Sequence, residues 1–322
     1  MARIALDTMG GDHAPAETVA GAVDAARKGV DVVLVGRHDT IEAELSNHEY
    51  RLPIVDAPDV IGMGDDPRRA LREKPEASIT VAARLVAEGN AEGFVSAGST
   101  GAAMAAAAII VGRIKGVARP AIATIFPTPN SPTLVLDSGA NTDVKPEQLA
   151  QFGIMGSVAA QALLHVERPR VGLLSIGEER GKGRILEKAA YELLEAGPIE
   201  FIGNLEGRDI STDKADVIVT DGFTGNVFLK TTEGTAKLIA RYLKEALSDL
   251  PPDIQEAVRP AIASVQNKLD YETYGGAQLL GVKSVAVIAH GSSSRVAISN
   301  ALSMASEGAV EDLPGRLAEQ LG

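Results

Sequence analysis

The chain has 322 residues, 45% of them hydrophobic and 23% charged, which is enough to bury a large core as one α/β domain or as two close-packed lobes. The net charge of −12 argues against a nucleic-acid binder, because contacts to a phosphate backbone need a basic face. Without cysteine, the chain has no disulfide, no thiolate metal site and no cysteine nucleophile.

These features predict a soluble, cytoplasmic protein. The longest apolar stretch, residues 102–111, is mostly alanine and is too short to span a membrane. The N-terminal residues 1–3 lead directly into an apolar run, without the architecture of a signal peptide.

Apolar runs alternate with helix-like patterns along most of the chain. Strands are expected at residues 3–7, 32–36, 53–57, 93–97, 121–126, 133–136, 170–176, 199–203, 215–220 and 284–289. Helices are expected at residues 16–28, 39–46, 75–89, 102–112, from 146, and at 227–247, 253–269 and 295–307. This order predicts one Rossmann-like α/β domain over residues 1–322. Its sheet is mostly parallel, with helices on both faces and the polar strand exits gathered along one edge.

The first strand ends in a loop with two consecutive glycines, Gly10 and Gly11. Glycine allows positive φ and lets a ligand approach the backbone closely. Asp7, Asp12 and His13 then lie at the carboxyl end of the strand, the edge where open α/β sheets bind ligands. The alternative is that Asp12 only caps the helix and that His13 is a structural hydrogen-bonding residue.

A second glycine-containing loop, residues 96–101, opens the alanine-rich helix. Ser99, Thr100 and Gly101 offer hydroxyl and backbone N–H groups that can surround an oxyanion. The spacing fits neither a Walker loop nor a dinucleotide fingerprint. The alternative is a capped helix packed tightly on the sheet.

Two later strand exits carry amide and basic side chains. Residues 137–145 include Asn141 and Lys145, and residues 177–184 include Lys182 in a glycine-spaced loop. These groups extend the expected anion site to further loops.

The richest exit is TDGFTGNVFLKTTEG, residues 220–234. A buried strand delivers Asp221, Thr224 and Asn226 to the start of a helix expected from Val227, with Lys230 about one turn in. A helix N-terminus attracts anions through its free N–H groups and its dipole. The alternative is that Asp221 and Asn226 only cap the helix.

The last strand exit, residues 290–294, holds His290 and Ser292. Asp and His are scattered singly along the chain, so the spacing does not favour a metal site, and we expect no cofactor.

Residues 62–74 are polar and basic, with Arg68, Arg69, Arg72 and Lys74 after an acidic pair. One interpretation is a solvated helix face, and the other is a docking patch for an acidic protein. A second unusual segment is the helical hairpin of about residues 227–269, which breaks the strand–helix alternation. A projecting hairpin of this kind serves as a dimer contact, a lid or a membrane foot.

Seven motifs together resemble, in order, the acyl-ACP:phosphate acyltransferase family of phospholipid synthesis. They are DTMGGDHAP at 7–15, SAGSTG at 96–101, DSGAN at 137–141, KPEQLAQF at 145–152, TDGFTGNVFLKTTEG at 220–234, YGGA at 274–277 and AHGSS at 289–293. The resemblance implies transfer of a fatty acyl group from acyl carrier protein to inorganic phosphate. The product would be an acyl phosphate for a membrane-bound glycerol-3-phosphate acyltransferase.

The same resemblance implies a homodimer with a fold like that of phosphate acetyltransferases and the isocitrate dehydrogenase group, with no metal or nicotinamide requirement. The chain departs from the family pattern at Thr8, Ser99, Ser138 and Arg184, where Ala, Asn, Val and Asn respectively are more frequent. Relatives are thought to touch the membrane at the hairpin tip. Here the tip, residues 248–259, carries Asp249, other acidic residues and two prolines, which argues against a strong membrane anchor.

The chemistry needs no metal, because phosphate at neutral pH already attacks a thioester when both are positioned. In the favoured hypothesis, backbone N–H groups at 99–101, with Lys182 and Lys230, hold phosphate and the developing oxyanion. The same hypothesis has the site oriented by Asp221, Asn226, Asn141 and His290, and the thiol protonated by His13 or His290.

Three alternatives stay open. A covalent acyl-serine route through Ser99 or Ser292 is disfavoured because no adjacent base is visible in the sequence. A dehydrogenase-like enzyme would need a dinucleotide signature and acidic metal ligands. A sensor that binds acyl phosphate or acyl carrier protein without turnover is the third.

Overall fold

The computed structural model describes residues 2–248, 250–269 and 274–322. Its eleven strands form one sheet in the order β3-β2-β1-β4-β11-β10-β5-β6-β9-β7-β8. The strands are β1 Arg3–Asp7, β2 Asp31–Gly36, β3 Ile54–Asp56, β4 Gly93–Ser96, β5 Ala121–Phe126, β6 Thr133–Leu136, β7 Arg170–Leu174, β8 Glu200–Leu205, β9 Val217–Val219, β10 Ala277–Leu280 and β11 Val285–Ile288. The predicted α/β class and mostly parallel sheet are confirmed.

Helices cover both faces of this sheet. They are α1 Ala16–Arg27, α2 His38–Leu45, α3 Pro67–Glu73, α4 Ser78–Ala87, α5 Thr100–Ala106, α6 Pro146–Leu163, α7 Ile185–Glu195, α8 Gly222–Ser248, α9 Pro252–Leu269, α10 Arg295–Val310 and α11 Leu313–Leu321. A π-helical turn, Ala107–Val111, continues α5, and a 3-10 turn, Gly207–Ser211, follows β8.

The sheet consists of two parallel halves that run in opposite directions. In the first half β3, β2, β1, β4 and β11 are parallel, and in the second half β6, β9, β7 and β8 are parallel. Between them, β10 is antiparallel to both β11 and β5, and β5 is antiparallel to β6. The carboxyl ends of the two halves therefore lie on opposite edges of the sheet. The prediction that all polar exits gather along one edge is wrong.

Apolar strand side chains pack against small residues on the helices. On one face, Ala102, Ala103 and Ala106 of α5 share a buried core with Phe94 of β4. On the other face α1 and α10 pack closely because α1 carries Gly21, where a Cβ would lie 2.6 Å from the Cβ of Ile298. Alanine and glycine thus bring these helices against the sheet and against each other.

Several element boundaries differ from the sequence-based prediction. Helix α8 begins at Gly222, five residues before the expected start, and α5 begins at Thr100 rather than at residue 102. Strand β10 and the helices α7 and α11 were not expected. Local patterns did not reveal β10 because its residues, AQLL, are too few to distinguish a strand from a turn.

Helices α8 and α9 are the two arms of the predicted hairpin. Within α8 only Gly222 and Gly225, at its first turn, are buried. Large apolar side chains on both arms are exposed: Leu238, Ile239, Tyr242, Ile254 and Val265. Residue Asp249 of the predicted tip lies outside the described residues. Among the helices that the structure describes, none is long and apolar enough to cross a membrane.

Candidate active site

Three loops that leave the neighbouring strands β1, β4 and β11 form the first group of polar residues, here called the glycine-loop cluster (residues 10–12, 97–101 and 290–292). The N–H of Asp12 donates to the carbonyl of Gly291 at 2.7 Å. A Cβ on Gly10 would lie 2.5 Å from Oδ2 of Asp7 and 2.8 Å from the amide nitrogen of Gly98. Glycine is therefore required at residue 10, as the GG motif predicts, because the backbones of two loops meet there.

A buried carboxylate, Asp7, ties these loops together. It accepts hydrogen bonds from the hydroxyls of Ser78 (2.5 Å) and Ser96 (2.6 Å), and the Ser96 oxygen accepts from the N–H of Gly98 (3.0 Å). Burial raises the pKa of Asp7, while the two serine hydroxyls and nearby backbone N–H groups oppose that rise. Asp7 thus sets the positions of the first two loops from behind.

The start of α5 is capped by Ser99, whose Oγ accepts from the N–H of Ala102 at 3.4 Å. The capping interpretation of this loop is therefore correct for Ser99. Thr100 is exposed as the first helical residue, and a Cβ on Gly101 would lie 2.7 Å from Cγ of Pro67 at the start of α3. The first N–H groups of a helix lack intrahelical partners and are available to an anion.

His290 and Ser292 form a hydrogen-bonded pair in the β11 exit loop. Nδ1 of His290 lies 2.8 Å from Oγ of Ser292, and the N–H of Ser292 also points to Nδ1 at 3.3 Å. A backbone N–H can only donate, so Nδ1 is best assigned as an acceptor for the hydroxyl as well. The expectation that Ser292 has no adjacent base is wrong, because the two residues meet across a turn of the loop.

His13 is exposed beside this cluster, and its carbonyl accepts from the N–H of Glu17. These contacts assign it no partner in the chemistry. Its role as an acid stays a prediction.

The loops that leave β6, β9 and β7 form the second group, here called the acidic cluster (residues 137–141, 182–187 and 221–226). At its centre Asp137 is fully buried and accepts five hydrogen bonds from N–H groups. The donors are Ile122 N (3.0 Å), Gly139 N (3.2 Å), Ala140 N (3.0 Å), Asn141 N (2.7 Å) and Asn141 Nδ2 (2.8 Å). Burial raises the pKa of Asp137 against these donors.

Asn141 supports the loop from inside. Only 5% of it is exposed, and its Nδ2 donates to the carbonyl of Pro120 (2.9 Å) as well as to Asp137. The predicted role of Asn141 in substrate binding stays a prediction. Asn226 is instead the exposed amide of the cluster, with its Cβ 3.8 Å from where a Cβ on Gly139 would lie.

Asp221 caps α8, so the capping interpretation is also correct for this residue. The N–H and hydroxyl of Thr224 donate to Asp221 at 2.8 and 2.9 Å, and a guanidinium nitrogen of Arg184 lies 2.5 Å from it. Burial disfavours the ionised form of Asp221, but these donors outweigh it and lower the pKa. Arg184 also pairs with the buried Glu187, and both carboxylates raise its pKa.

The predicted lysines differ in availability. Lys182 is exposed, and its ammonium group has no ion-pair partner among the described residues. Lys145 is exposed immediately before α6. Lys230 pairs with Glu233 at 2.9 Å and lies about two turns into α8, because the helix begins early. Lys230 therefore lies about one turn deeper than expected, and its role in holding phosphate stays a prediction.

The structure brings the predicted residues together as two clusters rather than one. The glycine-loop cluster holds Gly10, Gly11, Asp12, Ser99, Thr100, Gly101, His290 and Ser292, with His13 beside it. The acidic cluster holds Asn141, Lys182, Asp221, Thr224 and Asn226. Sequence reasoning placed Asp7 and Asp137 at strand exits but assigned neither of them a supporting role, and it missed Glu187. No group of three His, Asp or Glu side chains in the described ranges is arranged to hold a metal ion.

The sheet order, the two strand directions and the polar loops at the carboxyl strand ends define an α/β protein with the phosphotransacetylase fold. A phosphotransacetylase from Streptococcus pyogenes superposes with a TM-score of 0.65, covering 96% of this chain and 94% of that one at 16% identity. At this identity the likeness establishes the fold alone. The predicted similarity to phosphate acetyltransferases in fold is confirmed.

The chain belongs to the fatty acid synthesis protein family, whose model matches residues 2–316. A relative from Heliobacterium modesticaldum named phosphate acyltransferase is 49% identical, covering 99% of this chain and 97% of its own length. Another of the same name, from Desulforamulus reducens, is 47% identical over 100% of this chain and 98% of its own length. The resemblance inferred from the seven motifs, and with it the enzyme class, is confirmed.

Proposed function

We propose that this protein transfers the acyl group of acyl carrier protein to inorganic phosphate, which gives acyl phosphate and the free carrier thiol for phospholipid synthesis. The observation that carries the proposal is a pair of polar clusters at carboxyl strand ends in a chain 49% identical to a phosphate acyltransferase. Neither cluster needs a metal for this reaction, because phosphate is already a competent nucleophile and the thioester is already activated.

The two clusters are proposed to face one cleft on the α5 side of the sheet. Ala140, in the acidic cluster, packs against the same buried core as Ala102 and Ala106 of α5, which supports a common face. Neighbouring strands rotate by roughly 20–25°, so the five steps from β4 to β9 amount to roughly 100–125° of twist. A twist of this size turns the opposed strand ends toward a shared space.

In this cleft, the glycine-loop cluster would hold phosphate with the N–H groups of Thr100 and Gly101 at the start of α5. The acidic cluster would hold the thioester. Three exposed apolar side chains that follow β7 and β9 support this assignment: Ile185 is 90% exposed, Ile176 80% and Phe223 62%. Such side chains suit an acyl chain. Lys182, which has no ion-pair partner in the part of the chain that the structure describes, would then supply positive charge to the tetrahedral oxyanion.

The reaction has two possible routes, and the His290–Ser292 pair makes the second one concrete. In direct attack, a phosphate oxygen adds to the thioester carbonyl, the carbon–sulfur bond breaks, and an acid gives the thiolate its proton. In the acyl-serine route, Ser292 gives its proton to Nδ1 of His290 and adds to the thioester carbonyl, the carbon–sulfur bond breaks, and the histidine proton passes to the thiolate. Phosphate then attacks the serine ester, the bond from the acyl carbon to the serine oxygen breaks, and serine regains its proton. We favour direct attack because phosphate needs no activation by a base.

Acyl carrier protein with a radiolabelled acyl group, incubated with the enzyme without phosphate, distinguishes these routes. Direct attack predicts no label on the enzyme after denaturation and separation from the carrier. Label retained by the native protein and lost in a Ser292→Ala variant would establish the covalent route instead.

The partners and location follow from the same proposal. Acyl carrier protein and inorganic phosphate are the substrates. A homodimer through the exposed apolar face of α8 and α9 would cover Leu238, Ile239 and Tyr242. The proposed location is cytoplasmic, with peripheral contact to the membrane or to a membrane-bound glycerol-3-phosphate acyltransferase. Such contact fits a product whose acyl chain prefers a bilayer. Sedimentation equilibrium tests the dimer, and vesicle flotation tests the membrane contact.

A release assay tests the proposed activity. Free carrier thiol should appear from acyl carrier protein only when phosphate is added, without any metal or nicotinamide cofactor. A dehydrogenase would require nicotinamide, and a sensor would bind acyl carrier protein without releasing thiol, so either result would refute the proposal.

A further inference from the structure

We propose that α3 and the loop before it, residues 62–72, form the docking surface for the carrier protein that delivers the acyl group. The inference rests on the proposed function and adds to it the place where the protein substrate binds. The partner is an acidic protein, and the surface, here called the α3 rim, is defined by Met63, Pro67, Arg68 and Arg72.

The position of the α3 rim is the first observation. A Cβ on Gly291 would lie 2.8 Å from Cε of Met63, and a Cβ on Gly101 would lie 2.7 Å from Cγ of Pro67. The segment therefore touches two of the three loops of the glycine-loop cluster. A carrier bound here is next to the site, so the flexible arm that bears its thioester can enter the cleft.

The charges of the segment are arranged unevenly. Arg69 pairs with Glu73 at 2.8 Å, and Lys74 pairs with Asp65 at 2.6 Å, so these four side chains neutralise one another. Asp66 is used as the helix cap, where its Oδ1 accepts from the N–H of Arg69 at 2.8 Å. The remaining cations of α3 are Arg68 and Arg72.

Arg68 and Arg72 are four residues apart and share one side of the helix. Both are exposed, and neither has an ion-pair partner among the residues that the structure describes. In a chain with a net charge of −12, an acidic partner is attracted only where cations are concentrated locally, as they are here. Charge complementarity, together with the position beside the active-site loops, thus supports this surface for an acidic carrier.

The apolar part of the α3 rim fits an interface as well. Met63 is 52% exposed. Its neighbours Gly62 and Gly64 have no side chains, so its own loop gives it little cover. Arginine and methionine are enriched in protein interfaces, and methionine adapts its shape to a partner. A merely solvated helix face does not explain an exposed methionine that touches the active-site loops.

A double charge reversal, Arg68→Glu with Arg72→Glu, tests the proposal. The matched control is Arg168→Glu with Arg316→Glu, which changes the net charge equally at two exposed arginines outside both clusters and the α3 rim. We expect kcat/KM for acyl carrier protein to fall roughly tenfold in the first variant and to stay within twofold in the control. At about 0.5 M salt the difference should shrink, because the charges are screened.

Acyl-pantetheine, a thioester without the protein, identifies the cause. Its rate with phosphate should be the same in wild type and Arg68→Glu/Arg72→Glu, which also shows that the variant is folded. Titration calorimetry with free carrier protein should give weaker binding to the variant, independent of any turnover. Unchanged carrier binding, or equal losses with acyl-pantetheine, would overturn the proposal. Absent turnover in wild type would instead contradict the proposed function, and calorimetry would still decide the docking surface.

Discussion

The substitution Asp137→Asn probes the support of the acidic cluster. The Oδ1 side of Asp137 accepts from Ile122, Gly139 and Ala140, and an amide oxygen can keep these three bonds. The Oδ2 side accepts from the N–H and Nδ2 of Asn141, and there the new NH2 group would face two donors. The loop must then shift.

The expected loss of stability follows from these two bonds. Hydrogen bonds to a charged group contribute roughly 1.5–3 kcal/mol each. We take the lower value, about 3 kcal/mol in all, because neutralising the side chain also removes the burial penalty that raises its pKa. With an m-value of about 3 kcal/mol/M, the urea midpoint should fall by about 1 M.

Activity should fall further than stability alone explains. Gly139 of this loop lies against Asn226, so a shift of about 1 Å would misplace the exposed amide of the site and lower kcat roughly 100-fold. The matched control is Asp216→Asn, at the start of β9, where a carboxylate 5% exposed accepts three bonds from Arg170.

The Asp216→Asn control should lose stability but retain kcat, because Asp216 lies at the amino end of β9, away from the exit loop. Urea titration and the phosphate-dependent release of carrier thiol measure the two effects. Equal kcat in Asp137→Asn and wild type, or equal loss of kcat in both variants, would refute the assignment of Asp137 as the support of the site.

Lys182→Ala should lower turnover at least tenfold, about 1.4 kcal/mol of transition-state stabilisation, and an unchanged rate in the release assay would remove Lys182 from the site. Asp7→Ala should raise KM for phosphate roughly tenfold because the hydroxyls of Ser78 and Ser96 lose their acceptor. Asp7→Asn should restore most of the affinity for phosphate. Initial rates at varied phosphate measure both variants, and an equal rise of KM in the two would contradict a positioning role. Arg184→Met should lower the free energy of unfolding at neutral pH and reduce its fall on acidification. The pKa of Asp221 is lowered in the folded protein, so its stabilising contribution is fully present above about pH 3.9 and is lost as the pH falls through the lowered pKa; without the guanidinium this contribution is smaller, so less is lost in acid. Identical profiles of unfolding free energy against pH would contradict this.

The sequence predicted the individual loops well because each has a local physical signature. Gly10 is a glycine where two backbones meet, and Asp221 is an acidic residue at the start of a helix, as its position after a buried strand suggests. Ser99 is a cap for the same reason. Such features depend on a few consecutive residues, which the sequence displays directly.

What the sequence did not predict depends on residues far apart in the chain. The direction of β6 and β9 relative to β4 is set by the antiparallel strands β5 and β10, and strand direction leaves no mark in composition. Likewise, Asp7 is bonded to Ser78, 71 residues away. The pairing of His290 with Ser292 depends on the shape of one turn. These contacts are tertiary, and spacing alone does not determine them.

The most direct test of the account is the phosphate dependence of carrier release by the purified protein. With long-chain acyl carrier protein, free thiol should appear at a rate that rises and saturates with inorganic phosphate, and acyl phosphate should form in equal amount. Thiol release that is independent of phosphate, or the absence of acyl phosphate, would contradict the assignment of these two clusters to acyl transfer.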